Sequence, residues 1–382
     1  MYTILRFMTE AVARMLVAAT FVSLLFIGCA HKPVNGLMQD QKAIFFPSPA
    51  SVSRNNPCVL TIQGRVFEPQ KSKFREALIL ALPSLVWPLV WVNPWDPLYQ
   101  ERASHLFSDS NGNTRVRVKV GDRIIPLPAS DAAGYFTGDV ALTYDEIMQL
   151  AKDGKISFQS MPTPTNEKIF QGRVMLVPED GVMVITDIDD TIKDTNILNN
   201  KETVKNTVMR KFKAVDGMPE LYSSWMKALE PCIHFHVLSA GPWQLYEPLL
   251  QFTEKVVFPA FTWDMRSIDF GSIGGFREMI NYDAYEFKLQ KILAFMARFP
   301  KHHVVLVGDS SGEKDPKVYE EILRLYPDRV DAIFIRNVGS KDPKDWNERL
   351  SRYNNEPTAK IKVFQNPKDL PPLTRPTVCE GR

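Results

Sequence analysis

Four cysteines among 382 residues are too few for a disulfide-built scaffold, and no Cys or His spacing resembles a zinc site. Neither charge sign dominates. Forty-six Lys and Arg against 44 Asp and Glu leave a net charge of +2, which removes any bulk electrostatic case for nucleic acid. There is no long internal repeat and no low-complexity tract, which excludes a solenoid and a disordered polar chain. The longest apolar runs, 15–28 and 77–92, fall short of the roughly 20 residues that a spanning helix needs. What remains is an ordinary globular composition, 24% charged and 45% hydrophobic, in a chain long enough for two domains. Its 28 prolines gather in the first half and at the C-terminus.

Residues 1–29 read as a targeting segment. Arg6 and Arg14 give a basic start, residues 15–28 are apolar with small side chains, and Gly28-Cys29-Ala30 follows. A small residue before a cysteine resembles the bacterial lipobox, so Cys29 is expected to be lipidated; an uncleaved N-terminal anchor is the competing reading. Either tethers the body to a membrane. The expected location is a membrane-anchored lipoprotein on an extracytoplasmic surface, and Ala30 is compatible with the periplasmic face of a bacterial outer membrane. Residues 30–52, polar and proline-bearing, read as the tether. Cys58, Cys232 and Cys379 then remain. Cys232 reads as a core residue, and a Cys58–Cys379 bridge is conceivable in an oxidising compartment.

Residues 53–178 alternate as strands do, at 59–67, 114–120, 134–142 and 170–177, with turn signals such as Asp109-Ser110-Asn111-Gly112 between them. That predicts a small antiparallel β-sandwich or barrel without clustered catalytic residues. An insertion at 77–95 interrupts it. Prolines 83 and 88 oppose a straight helix, and Trp87, Trp91 and Trp95 follow at four-residue spacing. It reads either as a segment that dips into the membrane–water interface or as a hairpin packed under the sandwich.

From 179 to 366 the period changes. Strand candidates at 182–187, 233–238, 304–308, 331–335 and 361–364 alternate with helical patterns at 201–230 and 283–299. Strand, helix, strand in this order predicts an α/β domain with a parallel sheet and helices on both faces. A proline-rich tail, 367–382, closes the chain.

The chemistry gathers at the strand ends. Val182–Ile185 is a β-branched run that stops at Thr186-Asp187-Ile188-Asp189-Asp190-Thr191. A chain leaving a strand can aim Asp187 and Asp189 into one pocket. One carboxylate can attack phosphorus, and the other can pass a proton to the leaving oxygen. Crowded like charges call for a cation. Ser239-Ala240-Gly241 ends a second strand and can hold a phosphoryl oxygen at a helix start. Lys288 begins an amphipathic helix and can bind phosphate as a point charge. Gly308-Asp309 ends another apolar strand, and Asp309 is a hard oxygen ligand suited to Mg²⁺. Taken singly, these are also a turn, a serine cap and a solvated lysine.

Together, DIDDT at 187–191, LSAGPWQLY at 238–246, GSIGGFR at 271–277, the lysine helix ending in Phe299-Pro300, and VGDS at 307–310 resemble the haloacid dehalogenase superfamily. Within it they resemble the actin-patch phosphatidate phosphatase family, over roughly residues 55–370. The resemblance implies a Rossmann-like fold and a role for each matching residue. Asp187 is the implied nucleophile and Mg²⁺ ligand. Asp189 is the implied acid/base, with its backbone carbonyl on the metal. Thr191 orients the loop, Ser239 holds the phosphoryl group and Lys288 balances charge. Asp309 completes the metal site with a second acid, Glu313 or Asp315, of which Asp315 is favoured. A small helical cap is implied at 196–230. Its Lys201, Lys205, Arg210, Lys211 and Lys213 can meet anionic headgroups.

The expected function is a membrane-tethered, Mg²⁺-dependent phosphomonoesterase acting on a lipid phosphate such as phosphatidate, with release of diacylglycerol and phosphate. A phosphatase of soluble phosphomonoesters and a lipoprotein that binds a phosphorylated ligand without cleaving it are the alternatives. The intact Asp187/Asp189 pair weighs against the last.

Overall fold

The structure is a computed structural model, and it describes residues 34–54, 57–69, 93–268, 283–339 and 360–373. The targeting segment with Cys29, most of the tryptophan-rich insertion, the 271–277 stretch and Cys379 lie outside the described residues. No helix among the described residues is long and apolar enough to cross a membrane.

Two sheets form the first half. Cys58–Glu68 runs antiparallel to Lys42–Phe46 on one side and to Tyr135–Leu142 on the other. In the second sheet Gln171–Val177 lies antiparallel to Lys155–Ser160 and parallel to Ser48–Ser51, and Thr114–Val120 pairs with Lys155–Ser160 and Arg123–Ala129. The alternation read from sequence has its cause here. Val116, Val118 and Val120 turn inward to meet Leu60, Ile62, Phe136 and Val140 from the other sheet, in one shared core. Helix α1 (Pro97–Leu106) leaves this half, capped by Asp96, whose carboxylate accepts from the Leu98 and Tyr99 amides at 2.9 and 3.0 Å.

Residues 42–51 correct the expected tether. Phe45, Phe46 and Ala50 are buried, and the two short strands there belong to the sheets. Proline at 47 and 49 disguises them, since it is tolerated only at edges and bends. Similarly, the expected tail starts too early, because Pro367 and Leu370 are buried and Leu370 joins the core.

The second half is built on a six-stranded, all-parallel sheet of β1 (Gly181–Thr186), β2 (Ile233–Pro242), β3 (Phe261–Arg266), β4 (His302–Asp309), β5 (Val330–Arg336) and β6 (Ile361–Phe364). Its strand order is 3-2-1-4-5-6. Every residue of β1 is buried, as expected for a central strand covered on both faces. Val182 and Val184 face helices α2 (Met218–Leu229) and α3 (Tyr246–Lys255). Met183 and Ile185 face α4 (Ala284–Arg298) and α5 (Lys314–Leu325). The strand order reverses between β1 and β4. That reversal opens a crevice at the carboxyl ends of the two strands.

The stretch 196–230 differs from a single cap. Asn200–Val204 and a π-helical turn at Lys205–Met209 lie beyond the strand ends. Helix α2, by contrast, is a layer of the core. Met218, Tyr222, Trp225 and Leu229 recur at helical spacing and are all buried against the sheet.

Candidate active site

Four buried side chains converge where the strand order reverses. Asp187 follows β1, Asp309 ends β4, Asp315 lies in the first turn of α5, and Lys288 reaches in from α4. Oxygens of Asp187, Asp309 and Asp315 all lie within 4.8 Å of one another. The Lys288 ammonium bridges two of them, at 2.8 Å from Asp187 Oδ1 and 2.5 Å from Asp315 Oδ1. Local structure fixes each one. The Asp187 amide donates to the Val307 carbonyl at 2.9 Å, locking β1 to β4. The Asp309 carboxylate accepts from the Ser311 amide at 2.6 Å. Gly308 lets α5 approach: a Cβ there would lie 2.4 Å from Asp315 Oδ2.

Three carboxylates against one ammonium leave excess negative charge in a buried site. Burial pushes the Asp187 carboxyl up to about 7; Lys288 opposes the rise, and Asp315 and Asp189 add to it. Burial, then Asp315 and Asp187, hold Asp309 well above the usual carboxylate range. Burial alone would lower Lys288, but Asp187 and Asp315 reverse this and keep it charged. An all-oxygen donor set with unbalanced charge suits a hard divalent cation.

The other expected residues are placed less simply. The Asp189 carboxylate does not join the group of three. Its Oδ1 meets Lys193 Nζ at 2.7 Å and the Thr195 hydroxyl at 2.6 Å. Burial would raise this carboxyl, yet Lys193 and Thr195 hold it below the usual range. Glu313 lies outside the group and faces Lys317 at 3.7 Å, so the structure brings Asp315 into the cluster instead. Ser239 is buried within β2, toward its carboxyl end, and its hydroxyl accepts from the Gly241 amide at 3.1 Å. The helix does not start there, since β2 runs on to Pro242 and α3 begins at Tyr246.

Thr191 differs from expectation. Its hydroxyl is buried without a hydrogen-bond partner among the described residues. The loop is tied instead by Asp190, whose carboxylate accepts from the Thr195, Asn196 and Ile197 amides at 2.9, 2.7 and 2.6 Å. Asp190 takes φ = 55°, a left-handed conformation that Asp tolerates better than most residues. Arg336 donates to the Asp190 carbonyl at 2.7 Å. Of these partners only Asp190 stood inside a recognisable motif. Lys193, Thr195 and Arg336 become visible only once the chain is folded. The basic stretch is partly neutralised, because Lys205 and Arg210 both pair with Glu202, at 2.9 and 2.5 Å.

The arrangement sets a carboxylate nucleophile candidate in a cluster of acids suited to a cation, at the sheet's switch point. Residues 182–337 match the profile described as phosphatidate phosphatase APP1, catalytic domain. Phosphatidate phosphatase APP1 of Saccharomyces cerevisiae is 29% identical over 210 residues, covering 53% of this chain and 33% of the yeast protein. An uncharacterized protein of Schizosaccharomyces pombe is 27% identical over 220 residues, covering 56% of this chain and 34% of its own length. The chain therefore spans about a third of the curated relatives it matches.

Proposed function

We propose that the protein is a Mg²⁺-dependent phosphatidate phosphatase that works through an aspartyl-phosphate. The observation that carries this reading is the buried group of Asp187, Asp309 and Asp315 bridged by Lys288. The family match and the yeast relative's name support the substrate class.

The Asp187 carboxylate attacks phosphorus, and the bond to the lipid oxygen breaks. Lys288 favours the ionised form of Asp187 against burial and offsets charge on the transferring phosphoryl group. Asp189, at the mouth of the site, gives a proton to the leaving diacylglycerol oxygen and later takes one from the water that hydrolyses the acyl phosphate. Ser239 and the amides after it would receive a phosphoryl oxygen. Asp187, Asp309, Asp315 and the Asp189 carbonyl would hold Mg²⁺, which would neutralise charge between nucleophile and phosphate.

We assign the second half, 179–366, to a haloacid-dehalogenase-like Rossmann fold, for which the strand order and two helical layers are the support. The shared core of the two sheets supports a β-sandwich for the first half, with its opening strands drawn from 42–51. A lipidated Cys29, with help from 77–95, would keep the enzyme on the extracytoplasmic membrane surface where its substrate lies.

Phosphate release from phosphatidate-containing detergent micelles tests the reading. Wild-type protein should release phosphate with Mg²⁺, stop on chelation, and lose turnover by at least about 10³-fold in Asp187→Asn, as expected when a covalent nucleophile is removed. Equal release by wild type and Asp187→Asn would refute it.

A further inference from the structure

The mechanism leaves unexplained why Asp189, whose carboxylate lies outside the cluster, is tied to a buried lysine. Lys193 is 3% exposed, and its ammonium touches both Asp189 Oδ1 at 2.7 Å and Thr195 Oγ1 at 2.5 Å. The same ammonium stands 5.0 Å from the centre of the Phe212 ring. On that ring also lies the guanidinium of Arg102, at 3.6 Å. Arg102 is 5% exposed and donates to the Thr207 carbonyl at 3.3 Å. It belongs to helix α1, more than a hundred residues before Phe212 in the sequence. One aromatic ring thus carries two cations, one from the first half of the chain and one that grips the acid.

The backbone holds this stack in register. The Asp194 amide donates to the Lys213 carbonyl at 2.8 Å, and the Val215 amide to the Ile192 carbonyl at 3.0 Å. Segments 192–194 and 213–215 are thereby laced together about an antiparallel bridge between Lys193 and Ala214, and Phe212 adjoins it in sequence. The Phe212 ring packs edge-to-face with Phe252 of α3, their centroids 5.9 Å apart. Arg102, Lys193 and α3 thus all contact this one ring.

We propose that Lys193 is a positioning residue for Asp189, and that Arg102, through Phe212, is the clamp that sets it. The inference rests on the phosphatase reading, in which Asp189 is the acid/base. It makes α1 a working part of the active site: the first half of the chain, not the family domain alone, fixes where the acid points. Lys193 touches Asp189 rather than substrate, so its effect falls on the rate of the proton-dependent steps and not on substrate capture.

Steady-state kinetics of the full chain in phosphatidate micelles and on p-nitrophenyl phosphate tests it. Proton transfer by a positioned side chain contributes about 10²–10⁴-fold. Lys193→Met should therefore lower kcat by about tenfold or more, with KM within about twofold of wild type. Phe212→Leu should lower kcat several-fold, and Phe212→Tyr, which keeps the ring, should restore it. Arg102→Gln should resemble Phe212→Leu. Lys193→Met combined with Phe212→Leu should be no slower than Lys193→Met alone, because the two act through one contact. Unchanged kcat in Lys193→Met, equal loss in the Leu and Tyr variants, or multiplying losses in the double variant would overturn the proposal. A readout independent of turnover separates it from the phosphatase reading. Crystal structures of wild type and Arg102→Gln should show the Asp189 carboxylate leaving Lys193 in the variant. An inactive wild type with that displacement would sink the phosphatase reading and keep the clamp. An active wild type with Asp189 unmoved would do the reverse.

Discussion

Gly308 shows how much a single position constrains the site. The missing side chain is what admits the Asp315 carboxylate, and any Cβ would overlap it at 2.4 Å. Gly308→Ala should cost about 1–3 kcal/mol of stability, the usual range for overpacking a tight interior. It should also blunt the response to divalent cations, because Asp315 is pushed from the cluster. Thermal unfolding with and without Mg²⁺ reads both effects; a variant as stable and as cation-responsive as wild type would show that Asp315 has room to spare. Asp190 teaches a related lesson. Its carboxylate collects three amides, and hydrogen bonds to a charged acceptor contribute more than neutral ones. The motif's middle acid therefore shapes the loop while Asp187 faces the cluster.

At the scale of elements, β2 and β4 carry an acid sensitivity. Burial lowers His234 to about 3 and His302 to about 4. An unfolded histidine has a pKa near 6.5. Below pH 6.5 the unfolded chain therefore binds protons that the folded chain refuses. Stability is complete above that value and declines as pH falls toward 4. Urea unfolding at pH 7 and pH 4.5 should show the decline, and His302→Leu should lessen it; a variant with the wild-type acid slope would remove His302 as a cause.

The same elements show which parts of the fold were legible. β1 and β4 are buried on both faces, so they read as unbroken β-branched runs, and the acids after them stood out. β3 did not, because Asp264 and Arg266 interrupt its apolar character; Asp264 pairs with Lys291 at 2.7 Å. The strands at 42–51 hid behind two prolines. Helix α2 was read into a cap because its apolar stripe tells that a face is buried but not against what. The burial of Lys193 was invisible for the same reason: Asp189, Thr195 and Phe212 surround it only in the folded chain.

At the scale of the molecule, the first half abuts the parallel sheet at its β3 edge. The Phe46 ring stacks on Trp243 with centroids 3.8 Å apart and planes 12° from parallel. The Trp263 amide donates to the Pro47 carbonyl at 3.1 Å, and Gln63 Nε2 to the Trp263 carbonyl at 3.2 Å. Phe46 is buried among the residues of the α/β core. Phe46→Ala should cost about 3–5 kcal/mol, as aromatic deletions in cores do. Chemical denaturation should show that loss; a loss under about 1 kcal/mol would mean that the junction contributes little.

All of the chemistry depends on whether the Asp187, Asp309 and Asp315 group holds a divalent cation. A Mg²⁺ titration followed by thermal unfolding, with wild type beside Asp309→Asn, measures that directly. Ligand at about 100 times its Kd stabilises by about 2.7 kcal/mol, so wild type should show a saturable rise of several degrees that a chelator reverses. Asp309→Asn should show little or none. A wild-type melting temperature indifferent to Mg²⁺, or an equal rise in the variant, would contradict the account.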